Sequence, residues 1–218
     1  MVSTVESLLL MYASKKEEIL KRLESFERLK YASNEDIFAE LVFCLLTPQT
    51  RASAAKRAIT ALRTSSLLFN GEVSAIAELL AKYGVRFHNN KAKYIVAARE
   101  LFSRNGKMRI KSMLNTDDVK GLRMWLAENV LGLGLKEASH FLRNIGYGKE
   151  LAILDRHILG ELLQLGIISK LPKSLSKSKY LDIEQKLANF AAKLKLSIAE
   201  LDLLLWSEHG SLPLEEVK

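Results

Sequence analysis

The sequence predicts an all-α protein. Apolar residues recur at the spacing of a helix face along almost the whole chain, and runs with the alternating pattern of strands are scarce. Only 3 prolines and 11 glycines interrupt the 218 residues, so we expect long helices. A hydrophobic content of 48% argues against disorder, and the length allows either one domain or two small lobes.

Helix start and stop signals place the elements in order. Residues 33–36 match a capping box, and Thr47 followed by Pro48 suits an N-cap with proline at the first helical position. Gly146 and Gly148 are suited to the positive φ angles that end a helix. The predicted helices, with their caps, cover residues 15–30, 37–46, 49–62, 75–83, 90–101, 116–130, 136–145, 155–165, 183–194 and 198–206, and a basic linker is expected at residues 169–179.

The balance of charge favours a polyanionic partner. The formal net charge is +8 and the isoelectric point is about 9.5. Nucleic acid and a membrane surface would both suit this charge, although many soluble proteins are merely basic. No apolar run in the sequence reaches the roughly 18–20 residues that span a bilayer, and no targeting signal is evident. We therefore expect a cytoplasmic protein without a membrane partner.

Cys44 is the only cysteine of the chain. A disulfide within the chain and a four-cysteine iron–sulfur cluster are therefore excluded. The residue lies in an apolar run, so we expect a small core side chain rather than a nucleophile.

The most informative segment is VLGLGLKEASHFLRNIGYGKELAILDRHI, residues 130–158. Gly132 and Gly134 let the chain turn sharply between two helices. Backbone N–H groups at the start of the second helix are unpaired and lie at its positive end, so they suit a DNA phosphate. An ordinary tight corner between two helices would show the same glycines.

Lys136 follows the hairpin directly, and Asp155 comes 19 residues later. A lysine amine attacks a sugar carbon only when it is neutral, and the positive end of a helix favours the neutral form. A nearby aspartate stabilises the cationic sugar as the base leaves, or moves protons. The plainer alternatives are an exposed helix lysine and an N-cap aspartate.

Taken together, these residues resemble the helix-hairpin-helix glycine/proline/aspartate superfamily of DNA glycosylases. The family hairpin, Leu-Pro-Gly-Val-Gly-x-Lys, corresponds to residues 130–136, with Leu131 in place of the usual proline. The family segment Val-Asp-Thr-His-Val corresponds to residues 154–158. A lysine at position 136 marks the bifunctional members, which remove the base and then cut the backbone.

Three further segments extend the resemblance. LLTPQT at residues 45–50 stands where relatives carry Leu-Ser-x-Gln-Thr. GVRFHNNKA at residues 84–92 and LLLW at residues 203–206 resemble the type-2, mainly archaeal, 8-oxoguanine DNA glycosylase/lyases. The end of the sequence at Lys218 is also similar, and the missing cysteine cluster separates the chain from endonuclease III-like members.

The resemblance implies a two-lobe helical fold with an active-site cleft between the lobes. One lobe would comprise residues 34–148 and carry the hairpin at about 118–145; the other would comprise residues 1–33 and 149–218. Double-stranded DNA containing oxidised guanine is the implied partner, bound by a monomer in the nucleoid. Lys136 would attack C1′ of a flipped nucleotide and form a Schiff base that undergoes β-elimination, and Asp155 would stabilise charge and position or deprotonate groups.

The resemblance also implies base contacts. Gln49 would fill the gap left by the flipped nucleotide, Phe87 and Trp206 would stack on the base, and the terminal Lys218 would contact the oxidised guanine. Each has a plainer alternative: a polar residue at a helix start for Gln49, core aromatics for Phe87 and Trp206, and a frayed end for Lys218.

The same resemblance implies phosphate binding at Gly132, Gly134 and Lys136. No cofactor would be required, although a structural monovalent cation on hairpin carbonyls near Leu131 and Leu133 fits the pattern. The four histidines show no i, i+4 pair, so we expect no metal site. Two other functions stay open: a glycosylase for another oxidised base, and a hairpin module that binds DNA without catalysis.

Overall fold

The computed structural model describes residues 4–207. Within that range the fold is all-α, as predicted, apart from one two-stranded hairpin. Its twelve α-helices are α1 Val5–Arg28, α2 Asn34–Leu46, α3 Ala52–Thr64, α4 Leu67–Asn70, α5 Val73–Lys82, α6 His88–Phe102, α7 Ile110–Met113, α8 Val119–Asn129, α9 Leu135–Asn144, α10 Arg156–Gln164, α11 Lys177–Lys193 and α12 Ile198–Trp206. The strands β1 Ser103–Arg104 and β2 Lys107–Met108 pair antiparallel between α6 and α7.

The described chain divides into two compact units. We call residues 4–30 and 142–207 the terminal unit, and residues 31–141 the central unit. The chain passes from the central to the terminal unit within α9. The lobe boundaries at residues 34 and 148 and the cleft between the lobes stay predictions.

The core of the central unit is built around α2. This helix carries apolar residues on most of its faces, and it packs against α3, α6 and α7. An α-helix that is hydrophobic nearly all round must be buried, which explains this central place. Cys44 lies in α2 and is completely buried, as predicted for a core side chain.

The core of the terminal unit is built around α12. This apolar helix packs against α1, α10 and α11. The helix α1 begins ten residues earlier than predicted, because Thr4 and Ser7 form a capping box and Leu8 is buried. Leu8 in the apolar run at residues 8–11 is therefore part of the core, whereas Leu9 and Leu10 are exposed.

The helix predicted from Gln49 begins instead at Ala52. The hydroxyl of Thr47 donates to the carbonyl oxygen of Cys44 at 3.0 Å, so Thr47 ends α2 rather than opening the next helix. Residues 47–51 therefore form a loop, and Gln49 has a left-handed backbone with φ of +53°.

Smaller differences have local causes. The helix α11 begins at Lys177 rather than residue 183, because the Ser176 hydroxyl accepts from the N–H of Lys179. The hairpin of β1 and β2 was missed because each strand has only two residues. Gly146 has the predicted positive φ, but Gly148 does not; a Cβ on Gly148 would lie 2.4 Å from the Arg143 backbone.

A tight turn joins α8 to α9 in the central unit. The N–H of Leu133 donates to the Val130 carbonyl at 3.1 Å, and Gly132 has a φ of +86°. A Cβ on Gly132 would lie 2.4 Å from Cδ2 of Tyr94, a side chain of α6. Both the backbone angle and the close approach therefore require glycine here.

A buried ion pair lies in the terminal unit. Nη1 of Arg143 donates to Oδ2 of Asp202 at 2.7 Å, and Asp202 is only 2% exposed. Burial raises the pKa of Asp202 to about 6; the positive charge of Arg143 opposes this rise and the negative charge of Asp155 adds to it. The native protein thus binds more protons than the unfolded chain between about pH 4 and 6.

Within residues 4–207, no helix combines the length and the apolar character that crossing a membrane would require.

Replacing Gly132 with alanine should lower the free energy of unfolding by about 1–3 kcal/mol, because alanine is strained at this φ and meets the Tyr94 ring. Urea unfolding measures the change. Gly160→Ala is the control, since a Cβ at Gly160 meets nothing within 4 Å and should be neutral or stabilising. Equal stability of the two variants would show that the turn accepts a side chain.

Wild-type protein should lose stability relative to Asp202→Asn as the pH rises from about 4 to 6. The raised pKa means that the charged carboxylate is disfavoured in the fold, so this group contributes most when protonated. Across this pH range, urea unfolding should show that the free energy of unfolding of the wild type, relative to that of Asp202→Asn, falls by roughly 1–3 kcal/mol.

Asp182→Asn is the matched control, because hydrogen bonds from Lys186 and Lys179 lower the pKa of Asp182. The wild-type free energy of unfolding relative to this variant should fall only as the pH drops below about 4, and it should not fall as the pH rises from about 4 to 6. A difference in the free energy of unfolding between the wild type and Asp202→Asn that stays constant with pH would contradict the raised pKa of Asp202.

Candidate active site

The start of α9 places Lys136 in the first turn of a helix. The Gly134 carbonyl accepts the N–H of Ala138 at 2.9 Å, so Gly134 is the N-cap. Oε2 of Glu137 accepts the Gly134 N–H at 3.3 Å, which is the reciprocal half of a capping box. The N–H groups of residues 135–137 have no partner within the helix, so they suit an anion at its positive end.

Lys136 is not the freely solvated helix lysine of the plainer alternative. Its side chain is 26% exposed, and Nζ lies 3.1 Å from Oε1 of Glu137. Glu137 therefore contacts both the hairpin backbone and the amine, which fixes the amine relative to the turn. No role was predicted for Glu137, although its position three residues after the N-cap glycine is the capping-box signal.

The tip of the hairpin contains the backbone carbonyl oxygens of Leu131 and Leu133. Leu133 is buried, whereas Leu131 is 62% exposed. Across residues 4–207, no hydrogen bond reaches the carbonyl oxygens of Leu131 or Leu133. Backbone carbonyl oxygens are ligands that hard cations prefer, so the donor set fits the monovalent cation implied by the family resemblance.

Asp155 is the N-cap of α10, in the terminal unit. Its Oδ1 accepts the N–H groups of His157 and Ile158, each at 2.8 Å. These bonds fix the orientation of the carboxylate, and no hydrogen bond to Oδ2 is found in the described part of the chain. The N-cap role is therefore confirmed, and it leaves one oxygen for a second task.

Asp202 is a neighbour of Asp155 that sequence analysis missed. The two carboxylates are close enough for the charge of Asp155 to raise the pKa of Asp202. The signal was available, because Asp202 interrupts the apolar run of α12, and a carboxylate inside an apolar helix is unfavourable unless it is paired or used.

The predicted base-contacting residues of the central unit lie on its surface. Gln49 is exposed in the loop of residues 47–51, so it is not a helix-start residue. Phe87 is 52% exposed with a φ of +57°, so it is not a core aromatic. The hydroxyl of Thr50 accepts the N–H of Arg86 at 3.2 Å, which joins the two segments.

Trp206 and Lys218 are the other two residues predicted to contact the base. Trp206 is half-buried at the end of α12, in the terminal unit. Lys218 lies outside the described residues. Their contacts with a base stay predictions.

Lys91 is a third residue, after Glu137 and Asp202, for which the sequence predicted no role. Its side chain is buried, and Nζ donates to the carbonyl oxygens of Leu46 and Pro48 and to the Thr50 hydroxyl. Burial, aided by the nearby positive charges of Arg86 and Lys136 and opposed by the negative charge of Glu137, lowers the pKa of Lys91 to about 8.

The histidines within residues 4–207 do not gather with other ligands. No three His, Cys, Asp or Glu side chains of this range come together as a metal site would require. Nε2 of His157 accepts from Nε of Arg156 at 3.2 Å, and His140 packs edge-on against Phe43.

Comparisons with known proteins agree over most of the chain. A family model described as 8-oxoguanine DNA glycosylase matches residues 19–196. The 8-oxoguanine DNA glycosylase/AP lyase of Fusobacterium nucleatum is 42% identical over 198 residues, which cover 90% of this chain and 90% of that protein.

Two crystal structures of the Methanocaldococcus jannaschii 8-oxoguanine DNA glycosylase share the fold. One has a TM-score of 0.84 at 36% identity and covers 94% of this chain and 92% of the other. The second, a complex with 15mer DNA containing 8-oxoguanine, has a TM-score of 0.80 at 38% identity and covers 88% and 89%. The chain belongs to the 8-oxoguanine DNA glycosylase family.

Proposed function

We propose that the protein is a bifunctional DNA glycosylase/AP lyase that removes 8-oxoguanine from double-stranded DNA. The observation that carries this proposal is the position of Lys136, half-buried in the first turn of α9 behind the Gly132 turn. Support also comes from relatives of that name, which match 86–90% of the chain. A related enzyme crystallised with DNA containing 8-oxoguanine supports the substrate.

The reaction would begin at the sugar. The neutral amine of Lys136 attacks C1′, the bond from C1′ to the base breaks, and the base leaves with a proton. The sugar ring opens to a Schiff base between Nζ and C1′. Loss of a proton from C2′ then expels the 3′ phosphate, which cuts the strand 3′ to the lesion.

Asp155 would act through its second carboxylate oxygen. The bonds from His157 and Ile158 to Oδ1 hold the group in one orientation, so Oδ2 presents a fixed negative charge. A fixed charge of this kind stabilises the cationic sugar as the base departs, without a reorganisation at the moment of reaction. Asp155 would also help to deprotonate the attacking amine.

Binding would use several surfaces. The free N–H groups after Gly134, together with Lys136, would hold a phosphate at the hairpin of Gly132 and Gly134, with a monovalent cation on the hairpin carbonyls as a clamp. In the central unit, Gln49 would fill the gap in the duplex and Phe87 would stack on a base. Trp206 and Lys218 would complete the contacts to the flipped base.

The proposal includes a monomer that acts on nucleoid DNA in the cytoplasm. The net charge of +8 supports a polyanionic partner of this kind. Sedimentation of the protein alone and with a lesion duplex would test the monomer.

Sodium borohydride should trap a covalent adduct between the protein and a duplex with 8-oxoguanine, because it reduces the Schiff base of Lys136. Lys136→Gln should abolish the adduct, as measured by denaturing gel electrophoresis. Lys186→Gln is the matched control, since Lys186 also pairs with a carboxylate but lies in α11. Across a lesion panel, the strongest adduct with another oxidised base would reassign the substrate, and no adduct at all would leave only a DNA-binding module.

Asp155→Asn should keep DNA binding but slow base removal by about 10²–10³-fold, because asparagine caps a helix well but carries no charge. Single-turnover assays measure the rate and fluorescence anisotropy measures binding. The control is Asp118→Asn, because Asp118 caps α8 through an equivalent bond to the Gly121 N–H at 2.9 Å. Similar rates for the two variants would show that Asp155 is only a cap.

A further inference from the structure

We infer that Lys91 is a positioning residue that holds the loop of Gln49 against the turn of Phe87, so that both meet DNA in one fixed arrangement. The inference rests on the proposed function, because it gives Gln49 and Phe87 their tasks at the duplex. Lys91 itself touches no reacting atom in this scheme.

The ammonium group of Lys91 is fully engaged. Its three N–H donors match three acceptors: the Leu46 carbonyl at 2.7 Å, the Pro48 carbonyl at 2.8 Å and the Thr50 hydroxyl at 3.0 Å. The residue is 4% exposed, and it forms no ion pair with another described residue. A buried ammonium with only neutral partners is unfavourable, so its presence requires a task that an apolar side chain could not perform.

The first role of Lys91 is to donate a hydrogen bond to the C-terminal end of α2. Leu46 is the last residue of that helix, so its carbonyl oxygen lacks a helical N–H partner and is buried. A cation at this position also interacts favourably with the negative end of the helix. Lys91, although it belongs to α6, therefore caps α2 at the point where the Gln49 loop begins.

The second task is to fix the loop itself. Gln49 has a left-handed backbone, and the two residues beside it, Pro48 and Thr50, both accept from Lys91. The exposed side chain of Gln49 makes no hydrogen bond within residues 4–207 that would hold it. A strained residue of this kind persists only when its surroundings determine its conformation, and Lys91 supplies those contacts on both sides.

The network continues to the proposed stacking residue. The Thr50 hydroxyl, which accepts from Lys91, also accepts the N–H of Arg86, and Phe87 follows with a φ of +57°. Gln49 and Phe87, two exposed residues with strained backbone angles, are thus linked through the Thr50 hydroxyl and the Lys91 ammonium group. Strained residues gather at functional sites, so this arrangement points to a surface shaped for a ligand.

A double-mutant cycle tests the inference through DNA affinity. Lys91→Met removes the three donors but keeps the length of the side chain, and Gln49→Ala removes the proposed gap-filling group. Lys91→Met should weaken binding to an 8-oxoguanine duplex by about tenfold in the wild-type background and by less than about twofold in the Gln49→Ala background. Equal loss in both backgrounds would overturn the inference, because a general loss of structure acts independently of Gln49.

Further variants secure the result. Lys82→Met, on an exposed part of α5, is the matched control and should leave affinity unchanged. If Lys91→Met does not fold, Thr50→Val removes only the hydroxyl that joins the two segments. Thr50→Val should then weaken DNA binding in the wild-type background and have little effect on it in the Phe87→Ala background. Thr60→Val is its control, since Thr60 bonds only to its own helix. An effect of Thr50→Val that does not depend on Phe87 would overturn the link.

Affinity separates this inference from the proposed function. A wild-type protein that binds the lesion duplex but removes no base would disprove the glycosylase proposal, and the cycle would still report on the Lys91 network. Normal base removal together with additive affinities would disprove the role of Lys91 alone.

Discussion

The absence of a side chain at Gly132 is the constraint on which the site depends. Because the backbone lies against the ring of Tyr94, the turn between α8 and α9 stays tight and Lys136 falls in the first turn of α9. Tyr94 belongs to α6, the same helix that supplies Lys91. Lys91 and Tyr94 lie three residues apart on α6, so one helix supports both the hairpin and the loop of Gln49.

Helix starts organise the charged groups. Asp155 caps α10 directly, whereas Gly134 caps α9 and leaves Glu137 to reach back to its N–H. In both places a short polar contact fixes a side chain that the proposed reaction needs in one orientation: the Asp155 carboxylate and, through Glu137, the amine of Lys136. Local capping geometry therefore performs part of the work of preorganisation.

Sequence was a good guide where the signal is local. The caps at Ser33 and Asp155 and the hairpin follow from residues within a few positions of one another. Thr47 misled the prediction, because its hydroxyl can close one helix as well as open the next. The prediction also lacked the ion pair of Asp202 with Arg143, whose partners are 59 residues apart.

Lys91 shows most clearly why the remaining features could not be predicted. Its pattern was visible as part of HNNKA, but its acceptors lie 41 to 45 residues earlier in the chain. Nothing in the spacing of one helix reveals that a lysine will turn inward to cap another. Such residues become evident only when burial and hydrogen bonds are known together.

The most direct test of the account is to locate the sugar on the protein. The adduct formed with an 8-oxoguanine duplex under borohydride would be digested, and mass spectrometry would identify the modified peptide. The account predicts a reduced sugar remnant on Nζ of Lys136 alone. A remnant on Lys91, on the N-terminal amine or on any other lysine would contradict it.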